Sequence, residues 1–386
     1  MTEQTSLRKI VAQLVKRVRG LPEQVLSLEK GYAQLSVELS ELKQQLAEIR
    51  QQQPSVSLSS ADDQLAVELA ELKKQVAELS QQRPASTLSK PSINFSPITT
   101  ISAHKGGVKF VAIAADGQHI ASGGGDGTIK GWNLNTGELQ RTLAGADGSG
   151  RFAASADNQT LANCHTSKIW VWVPRIGDQA HAFASGQSCS CLTISRDGQL
   201  LINGHGRNVN VWDARTGQLV RSLDHEDTVF SVAISADKQT IASGSRKYNI
   251  KLWDASTGEL ISTLSDSNDN VVRLLAFGLA KEKVLVSGGD DSSIKLWNFG
   301  TGEQLRVLYG HMRRVRSVVV SDNGKLLASG SEDETVRVWD LSTGEPLSVL
   351  SGHLGLVNSV AISPDGQTIA SGSDDMTIKI WRLGQM

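Results

Sequence analysis

Three sets of His, Ser and Asp recur along the chain with the residue types of a nucleophilic triad. They are His104, Ser122 and Asp126, then His311, Ser329 and Asp333, then His353, Ser371 and Asp375. Such a triad needs an exposed serine Oγ, a histidine base oriented by the carboxylate, and an oxyanion site. Here each histidine, and His225 with them, occupies the same place in a repeating unit. Groups placed by a repeat are expected to hold it together, so neither a catalytic residue nor a metal ligand is assigned to them.

Other candidate chemistry is weaker. Gly123-Gly124-Gly125-Asp126-Gly127 resembles a phosphate loop only in glycine content. It lacks the Gly-Lys-Ser ending and no helix is expected after it, so a hairpin turn is the better reading. Cys189 and Cys191 share one strand face and Cys164 lies one unit earlier, a spacing that matches no zinc pattern. Small core residues are expected there. No motif calls for a cofactor.

The elements that must carry these residues announce themselves through tryptophan. Trp132, Trp172, Trp212, Trp253, Trp297, Trp339 and Trp381 follow one another at intervals of 40, 40, 41, 44, 42 and 42 residues. Self-similarity at this period marks a repeat architecture. In the last unit, Val357–Ile362, Thr368–Ser373 and Thr377–Trp381 are short β-branched runs separated by Pro364-Asp365-Gly366 and Asp374-Asp375. Such runs with turn chemistry between them read as antiparallel strands joined by hairpins. Elsewhere a fourth run follows a Thr-Gly-Glu turn, as after Thr343-Gly344-Glu345. Each unit is therefore a four-stranded meander.

Gly352-His353, Ser363-Pro364-Asp365-Gly366, Ala370-Ser371-Gly372-Ser373 with Asp375, and a closing Trp-Asp or Trp-Asn in the other units resemble WD40 repeats. That resemblance implies an all-β, seven-bladed β-propeller over 97–386. It also implies that the run Ile98-Thr99-Thr100-Ile101-Ser102 supplies the missing outer strand of blade 7 and closes the ring. The family's buried Asp-His-Ser-Trp tetrad falls on His104, Ser122, Asp126 and Trp132 in blade 1. It falls on His311, Ser329, Asp333 and Trp339 in blade 6, and on His353, Ser371, Asp375 and Trp381 in blade 7. Blade 4 keeps His225, Ser243 and Trp253 but carries Lys247 in place of the Asp. Blade 5 keeps Ser287, Asp291 and Trp297 with Asn268 near the His position. Blades 2 and 3 have Asn163 and Asn203 near the Ser position, and they are expected to be the least stable locally.

The first ninety residues are a different material, poor in glycine and rich in Leu, Glu, Gln and Lys. Leu7, Val11, Leu14, Val18, Leu21, Val25 and Leu28 open a heptad seam that continues through Leu46 and Ile49. The pattern predicts a helical coiled-coil segment over 1–53, a Ser/Pro linker over 54–60, a second coiled-coil segment over 61–83 and a linker over 84–96. Pro22 should kink or end a helix near Gly20. Self-association through residues 1–82 is expected, against an intrachain hairpin whose connection is long for two packed helices. Residues 1–20 carry Arg8, Lys9, Lys16, Arg17 and Arg19 beside an apolar face. They read as the flank of a coiled coil, or as a stretch that lies on an anionic membrane.

Of 386 residues, 39 are basic and 40 acidic, a balance that argues against a duplex nucleic-acid binder. Three cysteines, no signal-peptide design and no bilayer-length apolar run lead to the expectation of a cytoplasmic protein in a reducing compartment. The resemblance implies a non-enzymatic scaffold for protein–protein interaction, gathered into oligomers by its amino-terminal arm. A regulatory or assembly factor for a larger, membrane-associated complex is the alternative. The loops expected on the peptide-binding face carry Arg207, Arg246, Lys247, Tyr248, Arg273, Arg313, Arg314 and Arg316. They are expected to form a basic arc for an acidic or phosphorylated segment.

Overall fold

The chain divides into two units, 1–90 and 91–386. The computed structural model describes 95–144, 150–156, 159–165, 167–172, 181–185, 188–246, 249–265, 271–278 and 283–384. All lie in the second unit. The coiled-coil segments over 1–53 and 61–83, with the linker between them, lie outside the described residues, as do Lys247, Tyr248 and Asn268.

The described residues contain twenty-eight strands and no helix, arranged as seven antiparallel four-stranded sheets. In six sheets the strands follow chain order. Blade 4 shows the pattern: Val229–Ile234, Thr240–Ser245, Asn249–Asp254 and Leu260–Ser265 pair in succession. The first strands of adjacent blades contact one another, as in a ring of sheets set around an axis. Hydrogen bonds cross these boundaries. Ser231 Oγ donates to Val272 O at 3.1 Å, and Val360 N donates to Ser317 Oγ at 3.1 Å.

Burial falls outward along each blade. The second strand of blade 4 is buried almost throughout, while its outer strand exposes Leu260 and Ile261. The core lies between sheets. Ile202, Val209 and Val211 of blade 3 pack with Val229, Val232, Ile241 and Trp253 of blade 4 in one cluster. Each such side chain removed from water stabilises the ring by roughly 1.5–3 kcal/mol, and no blade can bury its own face alone.

In blades 1 and 3–6 the turn before the outer strand follows from two residue types. Asp254 Oδ1 accepts from Ser256 N and Thr257 N, each at 2.8 Å, and Gly258 takes a φ of 80°. Asp213, Asp340, Asn133 and Asn298 make the same side-chain turn in their own blades. The short acceptor after Trp reverses the chain, and glycine supplies the left-handed residue that the reversal requires.

The seventh sheet closes the ring. Phe95–Ser102 pairs antiparallel with Thr377–Leu383, with Ile101 opposite Ile378 and Pro97 opposite Trp381. The strand begins ahead of the run Ile98–Ser102, because the Phe95 ring is buried in the cluster containing Trp381 and Leu350. Pro97 sits on the outer edge, where a missing N–H breaks no ladder bond and discourages a further strand.

Candidate functional site

The face that presents the loops ahead of each first strand is built on hydrogen-bonded tetrads. In blade 6, Trp339 Nε1 donates to Ser329 Oγ at 2.8 Å, and Ser329 Oγ lies 2.7 Å from His311 Nε2. His311 Nδ1 lies 2.8 Å from Asp333 Oδ2. A ring nitrogen facing a carboxylate carries the proton, so Nε2 accepts from the serine hydroxyl. Blades 1 and 7 repeat the arrangement, with His–Ser distances of 2.8 Å in each.

These sets have triad chemistry in the wrong place. Ser122, Ser329 and Ser371 are fully buried, and each hydroxyl already accepts from an indole. A substrate carbonyl has no approach to the oxygen. What the carboxylate does instead is join two loops. Asp333 accepts from Met312 N at 3.0 Å and from Thr335 Oγ1 at 2.6 Å, and Asp375 accepts from Leu354 N at 3.0 Å. The loop ahead of the first strand is thereby fastened to the hairpin between the second and third.

Protonation follows from the same contacts. Burial lowers the His104 and His353 pKa, and the facing carboxylates only partly offset it. For Asp375, burial works toward a raised pKa. Hydrogen bonds from Thr377, Leu354 N–H and His353 outweigh it and bring the pKa down to about 2. Asp126 and Asp333 are held lower still by the same kind of donors.

The incomplete blades show what replaces a missing member. In blade 4, His225 Nε2 faces the Ser243 carbonyl oxygen at 3.2 Å, and Nδ1 is buried without a partner among the described residues. In blade 5, Asp291 takes Lys295 Nζ at 2.9 Å, and the lysine side chain is only 7% exposed. A lysine two residues before the tryptophan thus neutralises the carboxylate. In blade 3, Asn203 Oδ1 accepts from Trp212 Nε1 at 2.6 Å, but Asn203 Nδ2 meets no hydrogen-bond partner at full geometry among the described residues. In blade 2, Asn163 Oδ1 is unsatisfied among the described residues. Buried orphans of this kind cost about 1–3 kcal/mol each.

The expected basic arc is a mixed-charge surface. Arg273 Nε lies 2.7 Å from Asp290 Oδ1, and Arg314 Nε of the next blade lies 2.7 Å from the same oxygen. Arg314 also approaches Glu332 at 3.7 Å, and Arg316 holds Glu332 at 2.8 Å. The Arg273 guanidinium stacks over Phe230 at 4.9 Å. Across the closing boundary, Lys109 Nζ of blade 1 lies 2.6 Å from Asp374 Oδ1 of blade 7. Asn358 Nδ2 donates to that oxygen and to Val108 O. The structure therefore brings Arg273, Arg314 and Arg316 together through two carboxylates. Arg207 stands apart, with an exposed pair to Asp224 at 3.3 Å. Arg246 and Arg313 are exposed and have no ion-pair partner among the described residues.

Two kinds of residue on this face escaped the sequence reading. One is the acid immediately before the tetrad position: Asp290, Glu332 and Asp374. The doubled acids Asp290-Asp291, Glu332-Asp333 and Asp374-Asp375 are the signal that could have found them. The other is an exposed apolar pair, Met312 at 86% and Leu354 at 87%, each directly after a tetrad histidine.

No curated protein matches this chain. The family model described as WD domain, G-beta repeat matches residues 95–133, 217–254, 258–298, 302–340 and 344–382, together half of the chain. The unmatched stretch 134–216 holds most of blades 2 and 3, where the tetrads are absent. Repeat period, closed seven-sheet ring, buried tetrads and matched segments agree, and the chain belongs to the WD40 repeat family, whose propellers are typically protein-interaction scaffolds.

Proposed function

We propose that this protein is a non-enzymatic scaffold that docks an acidic or phosphorylated protein segment on the loops of blades 4–7. The observation that carries this reading is a mixed surface on one face. Arg246 and Arg313 are exposed with no ion-pair partner among the described residues, and Met312 and Leu354 offer apolar contact on the loops ahead of the first strands of blades 6 and 7. Arg273, Arg314 and Arg316 are held in place by Asp290 and Glu332, so they spend little rotamer freedom on binding. A phosphate or carboxylate recruits the Arg246 and Arg313 guanidiniums through charge-assisted pairs, while a flanking apolar residue covers Met312 and Leu354. Lys247 and Tyr248 belong to the same proposed surface.

The heptad seam supports self-association through residues 1–82, so that several rings present this face at once and bind with avidity. A cytoplasmic location agrees with the composition. The second reading is a regulatory or assembly factor for a membrane-associated complex, and the basic amphipathic stretch Arg8–Arg19 favours it.

An array of acidic and phosphorylated peptides, probed with the full-length protein and with a chain starting at Lys90, tests the proposal. Peptides bound by both forms, more weakly by the shorter one, support a docking ring with an avidity arm. Absence of acidic or phosphorylated ligands, or binding unaffected by Arg246→Glu with Arg313→Glu, overturns it. Flotation of residues 1–30 with anionic vesicles would favour the second reading.

A further inference from the structure

At the boundary between blades 2 and 3, two positions depart together from the rest of the ring. The residue after the tetrad serine on the second strand is glycine in blades 1, 4, 5, 6 and 7: Gly123, Gly244, Gly288, Gly330 and Gly372. In blade 3 the residue after Asn203 is likewise Gly204. Blade 2 alone has a side chain here, Cys164, directly after Asn163.

At four of these six glycines a Cβ would meet a valine from the following blade; at Gly123 it would meet Phe152, and at Gly288 Leu274 of its own blade. A Cβ on Gly330 would lie 2.6 Å from Val357 Cγ1, one on Gly372 would lie 2.6 Å from Val108 Cγ1, and one on Gly204 would lie 2.9 Å from Val229 Cγ1. Gly244 meets Val272 in the same way. In each case the valine stands three residues ahead of the one opposite the Ser position: Val229 ahead of Val232, Val357 ahead of Val360. In blade 3 the residue opposite Asn203 is Leu192, and three residues ahead of it stands Cys189. Where the glycine becomes Cys164, the facing valine becomes Cys189.

That exchange fits a covalent bond. Separations of 2.6–2.9 Å between a Cβ and the facing γ atom are too close for non-bonded carbons. In a disulfide, however, the Cβ of one residue lies about 3 Å from the sulfur of the other. Cys189 packs against the cluster that contains Cys164, and the Cys164 thiol is the main influence that raises the Cys189 pKa. We propose that Cys164 and Cys189 are a redox-responsive dithiol that oxidises to a disulfide stapling blade 2 to blade 3.

The staple falls between the two blades expected to be the least stable locally. Both blades lack the tetrad, and both keep a buried asparagine atom that meets no hydrogen-bond partner at full geometry among the described residues. Cys189 is partly exposed and Cys164 is buried, so exchange begins at Cys189. Its thiolate attacks one sulfur of a low-molecular-weight disulfide, giving its proton to solvent, and the first small thiol leaves and takes up a proton. Cys164 then loses its proton, attacks Cys189 Sγ and displaces the second small thiol. Two protein thiols lose two electrons, and one small disulfide becomes two thiols. The hydrogen bond with Cys164, together with burial, holds the Cys189 thiol well above its ordinary pKa. The pair therefore responds slowly at neutral pH and faster in alkali. Burial pushes Cys191 up to about 12 and keeps it out of the exchange.

The test is oxidation of the full-length protein with oxidised glutathione, followed by denaturing alkylation and non-reducing peptide mapping. We expect loss of two of the three thiols, a single Cys164–Cys189 link, and Cys191 still open to alkylation. The melting temperature should rise on the order of 5 °C and fall back with dithiothreitol. Cys164→Ala should instead keep one glutathione on Cys189. Three alkylatable thiols after prolonged oxidation, a Cys189–Cys191 link, or links between chains would each overturn the proposal, and the wild-type map decides it even if the variant does not fold.

Discussion

Arg314 of blade 6 reaches back to Asp290 of blade 5 at 2.7 Å, and Asp290 also holds Arg273 of its own blade at the same distance. One carboxylate thus orders two guanidiniums from adjacent blades. Both partners are about a third exposed, so the pair is worth about 1 kcal/mol or less to stability. Its consequence is for recognition. Asp290→Asn should barely move the melting temperature but release Arg273 and Arg314. Without that pre-organisation, binding of a phosphorylated peptide should weaken and broaden in sequence preference, read by titration calorimetry. Unchanged binding would separate these arginines from the docking surface.

Ser329→Ala tests the tetrad. The hydroxyl accepts from Trp339 and contacts His311, and both partners are buried. Stranding two buried polar groups should cost roughly 2–4 kcal/mol, seen as a lowered urea midpoint. The equivalent loss at Asn163, which already carries an orphan oxygen, should cost clearly less.

Acid should unfold the ring in two stages. His104, His225 and His353 have folded pKa values below the ordinary 6.5, so the unfolded chain binds protons first as pH falls through that value. Stability present above pH 6.5 is lost below it. Asp375, lowered from 3.8 to about 2, contributes stability that is present above pH 3.8 and lost between there and about 2. Asp126 and Asp333 act in the same direction. Stability measured by denaturant titration should therefore fall with pH first near 6 and again below 4. A flat profile between pH 7 and 5 would contradict the buried neutral imidazoles.

Ring closure can be probed at a single glycine. A Cβ on Gly372 meets Val108 and Val111 across the blade 7–blade 1 boundary. Gly372→Val should overpack that interface and destabilise by roughly 1–3 kcal/mol or more. Removal of Phe95–Ser102 should lower stability further and open a sheet edge to aggregation, because Thr377–Leu383 loses its outer pairing partner and keeps only Thr368–Ser373.

The sequence made the ring legible because the closing tryptophans count the blades and the donated run Ile98–Ser102 is rich in β-branched residues. It also located the tetrads of blades 1, 6 and 7, since His, Ser, Asp and Trp keep fixed places in a repeat. It did not reveal Lys295 as the cation for Asp291, because a lysine two residues before tryptophan also occurs where its ammonium goes elsewhere: Lys130 Nζ donates to Ala103 O and Lys251 Nζ pairs with Glu226. Nor did it show that Asp290 and Glu332 sit among the arginines. That meeting depends on strand register and on the neighbouring blade, neither of which is local in sequence. The packing of Cys189 against the cluster that holds Cys164 was hidden for the same reason.

The most direct measurement is titration of a phosphorylated acidic peptide into the full-length protein and into its Arg246→Glu, Arg313→Glu variant, with circular dichroism to confirm that both are folded. Two charge-assisted contacts removed and reversed should weaken binding at least ~10-fold, with a weaker salt dependence than the wild type shows. Equal affinity and equal salt dependence in the two proteins would show that the face formed by blades 4–7 is not where this scaffold takes its acidic partners.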